Sequence, residues 1–345
     1  MFSPSLFSDR YQKFIAKKRS FYALIFFLFT FALSLGAEFV ANDKPLFVWY
    51  KNKSYFPVFK TYPEKEFGGT FETEANYRDS FVKNLILKDG WMVWPFIRYS
   101  YNTVNYELKE PVPSAPSAEH WLGTDDQGRD LLARLIYAYR FSIIFGLTVT
   151  ILSVALGFFM GAIQGYFGGY VDLIFQRFTE VWAGLPLIFL LITVSALFRL
   201  NFWMLVFVIS AFKWMLVVPI VRAEFLKARQ LEYVKAARVM GLPAFNIMFR
   251  HILPNVLSAP LTLIPFLLIA AITLLSTIDF LGFVPAFGPP SLGEILNQGK
   301  NNLYAPWIGI TGFTALTVLL TSLIFIGEGI RDAFRLYQSH KGSFV

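Results

Sequence analysis

Cysteine is absent from the chain, which excludes disulfides, thiolate chemistry and cysteine-ligated zinc. Histidine is sparse: His120, His251 and His340 lie far apart, and none begins an H-E-x-x-H pattern. Charge is also scarce. Only 16% of residues are Asp, Glu, Lys or Arg, against about 25% in soluble proteins. Hydrophobic residues make up 55% and aromatic residues 18%, the composition of a polytopic membrane protein. The net charge of +8 would suggest nucleic acid in a soluble chain. Beside apolar spans it is the ordinary topogenic signal, so no nucleic-acid partner is expected.

Catalytic patterns are lacking too. Gly293 to Lys300 resembles a phosphate-binding loop, but five residues separate its glycines and Asn301 stands where Ser or Thr must hold magnesium. Around Ser291, Pro289 occupies the place of the first glycine of a nucleophile elbow. Asp125, Asp126 and Asp130 suggest a calcium loop, yet Leu131 and Tyr137 fall where Gly and Glu are required; helix capping by Thr124 or Asp125 is the expected role. No cofactor, no metal and no hydrolysis of ATP by this chain are expected.

What the chain has is apolar length. A span needs about 20 apolar residues, because about 30 Å of hydrocarbon is crossed at 1.5 Å per residue. Six stretches qualify: Phe21–Phe39, Phe141–Gly161, Phe178–Phe198, Phe202–Val221, Val256–Ile278 and Trp307–Gly327. The first has the basic lead of a signal peptide (Lys17, Lys18, Arg19) but no clean A-x-A site, so an uncleaved anchor is expected. The expected fold is an all-α polytopic membrane protein of six transmembrane helices, with a mixed α+β insertion after the first.

Lys and Arg in short loops set the orientation. With residues 1–20 inside, that side receives Arg10, Lys13, Lys17, Lys18 and Arg19, then Arg177, then Arg222, Lys227, Arg229, Lys235, Arg238 and Arg250, and finally Arg331, Arg335 and Lys341. The short outer loops keep Arg199 and Lys300. Both ends, 1–20 and 331–345, are then cytoplasmic, 21–40 is the first span, 41–140 is a periplasmic region, and 141–330 is a five-helix core. In the outer region, Leu46–Tyr50 and Tyr55–Val58 read as a hairpin around Lys51-Asn52-Lys53-Ser54. A helix over Phe71–Leu87 should stop at Asp89-Gly90, and Trp91–Tyr99 should be extended.

Gly157, Gly161, Gly165 and Gly169 recur every four residues, a spacing that lets another helix approach closely. Lys213 is the ionisable residue most embedded in a span and Asp279 lies near a span end. Either could line a polar pathway or pair across an interface, or simply snorkel.

The loop 222–255 is different in kind. Leu226, Tyr233, Ala236, Ala237 and Met240 mostly share one helical stripe, with Arg229, Lys235 and Arg238 pointing elsewhere. Gly241-Leu242-Pro243 forces a turn, and Ala244–Leu253 makes a second short helix ended before Pro254. This is a knob shaped for a soluble partner; an interfacial hairpin lying on lipid is the alternative.

The loop resembles the EAA motif of ATP-binding-cassette importer permeases, E-A-A-x-x-x-G followed by I-x-L-P. Ala236, Ala237, Gly241, Leu253 and Pro254 fit, Lys235 occupies the Glu position and His251 the Ile position, and Glu232 lies one turn earlier. His120-Trp121-Leu122-Gly123-Thr124-Asp125, Gly128-Arg129-Asp130 and Phe280-Leu281-Gly282 resemble the second permease subunit of the dipeptide and oligopeptide branch. Ala41-Asn42-Asp43-Lys44-Pro45 and Ser291-Leu292-Gly293-Glu294 are similar to microcin C-type peptide importers. The resemblance implies the type I ABC importer permease fold. It also implies a second homologous permease, two ATP-binding-cassette ATPase subunits and a periplasmic peptide-binding protein as partners, besides membrane lipid. Glu232, Tyr233, Ala236, Ala237, Met240, Gly241, Leu253 and Pro254 would then couple the permease to the ATPases. An ion-gradient-driven transporter would instead need mid-membrane carboxylates or two matched halves, and neither is visible; a membrane scaffold is the remaining alternative.

Overall fold

The computed structural model describes residues 11–108, 110–198, 200–283 and 289–341; Arg10 and Arg199, used in the orientation argument, lie outside them. Each of the six apolar stretches is helical. Three form unbroken helices long enough to cross a bilayer: α1 (Lys18–Leu35), α3 (Leu131–Phe167) and α11 (Pro306–Lys341). Between α1 and α3 lie strands β1 (Phe47–Tyr50), β2 (Lys53–Tyr55) and β3 (Gly90–Val93), with α2 (Ser80–Asp89) before the last.

The remaining stretches depart from single straight spans. Phe178–Phe198 is divided between α4 (Gly169–Ala183) and α5 (Leu187–Leu197), bent by 67°. The break falls at Gly184-Leu185-Pro186, where proline lacks the N–H and clashes with the preceding turn. Phe202–Val221 becomes α6 (Phe202–Lys213), extended by a turn over Trp214–Leu216, and α7 (Val218–Ala228), with a 43° bend between them at Val217. The fifth stretch is carried mainly by α9 (Ile264–Phe280), 17 residues long; α8 (Glu232–Val239) precedes it in the loop, and α10 (Leu292–Asn301) follows it.

At 37 residues, α3 is about 55 Å long, well beyond one hydrocarbon thickness. Its first turns, from Leu131, precede the expected span at Phe141. The sheet order is β2-β1-β3, all antiparallel. Its hairpin turn is two residues, Lys51-Asn52, both at positive φ, which matches the twist of the flanking strands. This brings β2 forward to Lys53, earlier than expected. The helix read as Phe71–Leu87 starts only at Ser80, where the Asp79 carboxylate accepts from Phe81 N at 2.8 Å. Gly90 is extended rather than left-handed, because it passes straight into β3 opposite Tyr50.

The glycine seam does what its spacing suggests. A Cβ on Gly157 would lie 2.6 Å from Val217 Cβ, on Gly161 2.8 Å from Val221 Cβ, and on Gly165 2.5 Å from Phe225 Cβ. Backbone-level contact between α3 and α7 requires glycine at all three. Gly169 lies beyond the end of α3 and has open space around it. Gly161→Leu should therefore force the two helices apart and cost about 1–3 kcal/mol. Lower thermal stability of the purified variant in detergent would register it, whereas Gly169→Ala would meet no neighbour and bear only the strain of its positive φ of +54°.

Candidate functional site

The loop between α7 and α9 folds as a short stalk with an exposed tip. α8 ends in paired hydrogen bonds, Gly241 N to Arg238 O at 3.0 Å and Leu242 N to Ala237 O at 3.2 Å. With Gly241 at φ +76°, this is the left-handed glycine cap that its position predicts. After Pro243 the chain is helical over Ala244–Asn246, widens to a π-helix over Ile247–Ile252, and returns to α over Leu253–Val256. The second helix thus continues through Pro254 instead of stopping before it. The wider turn absorbs a proline that cannot donate and whose ring crowds the preceding carbonyls.

The stripe read from the sequence divides in two. Val234 and Ala237 are fully buried, packed with Phe225, Ile247, Ile252 and Val256 at the base; Val234 was missed, although it lies one turn before Ala237. Tyr233, Ala236 and Met240 face outward. Val239 is 89% and Met240 72% exposed, and Phe245, just past the turn, is exposed as well. The tip is therefore apolar and uncovered, on a segment that carries Arg229, Lys235 and Arg238.

Polar contacts hold the stalk to the bundle. Arg222 grips Asp172 through two 2.6 Å bonds, tying α7 to the start of α4. The guanidinium of Arg238 lies 5.4 Å from the centre of the Tyr166 ring near the end of α3. Asn255 Nδ2 donates to Tyr233 Oη at 3.4 Å. Glu232 and Lys235 form an exposed pair at 2.8 Å, so the carboxylate one turn before the motif lies next to the lysine that occupies its glutamate position. Leu253 and Pro254 are half-buried beneath the tip.

A second polar constellation lies at the other end of α3 and was not anticipated. Asp130, not Thr124 or Asp125, caps the helix, accepting from Ala133 N at 2.8 Å. It also accepts from the buried His120 ring, at 2.8 Å. Asp125 is fully buried and closes its own loop, accepting from Gln127 N and Arg129 N at 2.9 Å each. Arg134, almost without exposure, sits 3.1 Å from Asp125 and 2.6 Å from Glu294 on α10, and donates to Tyr101 O. Beside it, burial and the neighbouring Asp125 carboxylate raise the Asp126 pKa above the usual range. The motif residues 120–130 thus lock the insertion, α3 and α10 together. Sequence showed the charges but not that Arg134 would reach a partner 160 positions away.

Lys213 is the last residue of α6, half-buried at the bend, and forms no ion pair among the described residues. Asp279 is engaged within the chain: its carboxylate accepts from Ser291 Oγ, and its carbonyl from Asn297 Nδ2 at 3.1 Å. It pins α10 against α9.

A crossing of α3 and α7 at backbone distance, a capped two-helix loop below it and a broken fourth apolar stretch are now in place. Residues 153–335 match the family model described as binding-protein-dependent transport system inner membrane component. The chain belongs to that family. It is 48% identical to the inner membrane ABC transporter permease protein YejE of Escherichia coli, over 94% of this chain and 95% of that one. It is 46% identical to the peptidoglycan transport system permease protein YejE of Agrobacterium fabrum, over 96% and 93%. The oligopeptide transport system permease protein OppC of Haemophilus influenzae is 33% identical over 69% of this chain and 76% of its own. A chain of the inward-facing MetNI methionine ABC transporter superposes distantly, with a TM-score of 0.44 and 16% identity over 59% of this chain and 96% of that chain. The match spans the glycine seam and the whole 222–255 loop of this transport component, and places it in the inner membrane as a multi-pass subunit.

Because Arg134 is buried between two carboxylates, Arg134→Met should leave Glu294 without its ion pair and Asp125 with Arg129, at 2.7 Å, as its remaining cation. Breaking one side of such a buried cluster costs about 3–5 kcal/mol. The expected result is a large fall in detergent thermal stability, partly restored in the Arg134→Met/Glu294→Gln double variant.

Proposed function

We propose that this chain is one permease subunit of an ATP-driven peptide importer, paired with a second homologous permease and driven by two ATP-binding-cassette subunits that grip the tip of the 222–255 loop. A periplasmic peptide-binding protein delivers the solute from the side of the insertion. The chain itself hydrolyses nothing. The observation that carries the reading is the uncovered apolar tip (Val239, Met240, Phe245) standing on a buried stalk. A loop that served only to connect two spans would not need both. The oligopeptide transport system to which the OppC relative belongs, and the peptidoglycan transport system of the Agrobacterium fabrum relative, support a peptide-bearing solute.

Mechanically, nucleotide binding draws the ATPase subunits together and moves the two tips. Val234 and Ala237 carry that movement into α7, and the glycine seam passes it to α3. Moving a two-state equilibrium from 1:99 to 99:1 takes about 5.5 kcal/mol of differential binding, so a stiff stalk suits the task. The charge asymmetry supports cytoplasmic placement of the loop and both termini. On α4 no residue is buried against its own chain, which supports this face, with Lys213 at the adjoining bend, as the contact or pathway surface toward the second permease. Glu232 and Tyr233 flank the tip and complete the coupling surface.

Met240→Asp tests the reading. The side chain is exposed, so the variant should insert and fold normally, but it should weaken the ATPase contact by about 2 kcal/mol, roughly thirtyfold. ATP-dependent peptide uptake in proteoliposomes should fall accordingly while ATPase activity loses its dependence on the binding protein. Uptake at the parental rate would refute the coupling role. Ala237→Asp, by contrast, should destabilise the stalk itself.

A further inference from the structure

We infer that the insertion between α1 and α3 is seated on the membrane, its exposed aromatic edge immersed in the lipid headgroup region of the adjoining leaflet. The level of that interface is marked by the end of α1. The helix is followed by one more turn, Ala37–Val40, and there Glu38 pairs with Arg140 of α3 at 2.9 Å, polar groups suited to the boundary rather than to hydrocarbon. Two parts of the insertion are tied to this level. Ile97 N donates to Val40 O at 2.9 Å and Asn42 N to Ile97 O at 3.1 Å, which fixes Phe96 beside the helix end. The Phe59 ring lies 5.7 Å from that of Phe39.

From these two anchors the aromatic edge spreads. Phe59 and Phe56 share one turn, and ring contacts continue from Phe56 through Phe47 to Trp91 at 5.3 and 5.2 Å. On the other side Phe96 meets Trp121 edge-on at 4.9 Å, and the next residue, Leu122, packs with apolar residues of α1 and α11. These rings are not surplus core. The insertion has its own buried cluster, including Tyr50, Phe67 and Tyr77, whereas Phe59 and Phe96 are each 74% exposed. Removing a phenylalanine side chain from water is worth about 1.5–3 kcal/mol. Aromatic rings concentrate at membrane interfaces because they pair an apolar body with a tolerance of the polar headgroup layer. Lys60, exposed beside Phe59, is placed for lipid phosphate. Lipid is favoured over a protein partner as the occupant because the edge is continuous with a transmembrane helix end.

Because this chain has no cysteine, an introduced one is its sole labelling site once any cysteines of the partner subunits are replaced by serine. Phe59→Cys and Phe96→Cys are labelled with bimane in the assembled transporter, in nanodiscs of phosphatidylethanolamine and phosphatidylglycerol with or without lipid carrying a doxyl group near the headgroup. Emission should be blue-shifted, at least halved by the doxyl lipid, and little affected by aqueous iodide. Full quenching by iodide with none by doxyl lipid would overturn the inference. So would iodide protection that appears only when the soluble binding protein is added, which would make the edge a protein-docking surface.

Discussion

The approach of α3 and α7 at Gly157, Gly161 and Gly165 is the constraint on which the rest depends. No side chain of α3 intervenes there, and Val217, Val221 and Phe225 pack directly on its backbone, so α7 cannot shift without α3 shifting with it. Rigid contact of this kind is what a lever needs, because close-packed interiors transmit displacement rather than absorb it. The loop stalk grows directly out of α7, and its buried residues Val234 and Ala237 share one apolar cluster with Phe225 and Ala162. Motion imposed at the tip therefore reaches the transmembrane core through contacts that are apolar near the seam and reinforced by the Arg222–Asp172 pair.

At the opposite end of α3 the physics is electrostatic. His120 pairs with Asp130, and Arg134 bridges Asp125 and the partly exposed Glu294, two adjoining sets of largely buried charged and polar groups. Each is costly to bury alone, and together they compensate one another. The same helix is thus held by steric closeness at one end and by ion pairing at the other. A helix about 55 Å long, fixed at both ends, relates the insertion mechanically to the loop.

Much of this was legible in the sequence, and the reasons differ by element. The apolar stretches stood out because the bilayer imposes length. Gly241 was legible because a helix end followed by Gly-Leu-Pro admits few conformations. The bend at Pro186 carried its own signal, yet the unbroken hydropathy of Phe178–Phe198 hid it. Continuation through Pro254 was not legible, since a widened turn depends on what packs around it. The division of the loop stripe into buried Ala237 and exposed Ala236 followed from tertiary packing of Ile247 and Ile252 beneath α8. The Arg134–Glu294 pair joins residues far apart in sequence, and nothing local announces it.

The most direct test of the account is a photocrosslinker at Val239 in the intact transporter. The side chain is nine-tenths exposed at the tip, and its replacement disturbs no buried contact. Crosslinked product should contain an ATP-binding-cassette subunit, with a yield that changes when a non-hydrolysable nucleotide is bound. Adducts with lipid alone, unchanged by nucleotide, would contradict the claim that force enters this permease through the loop.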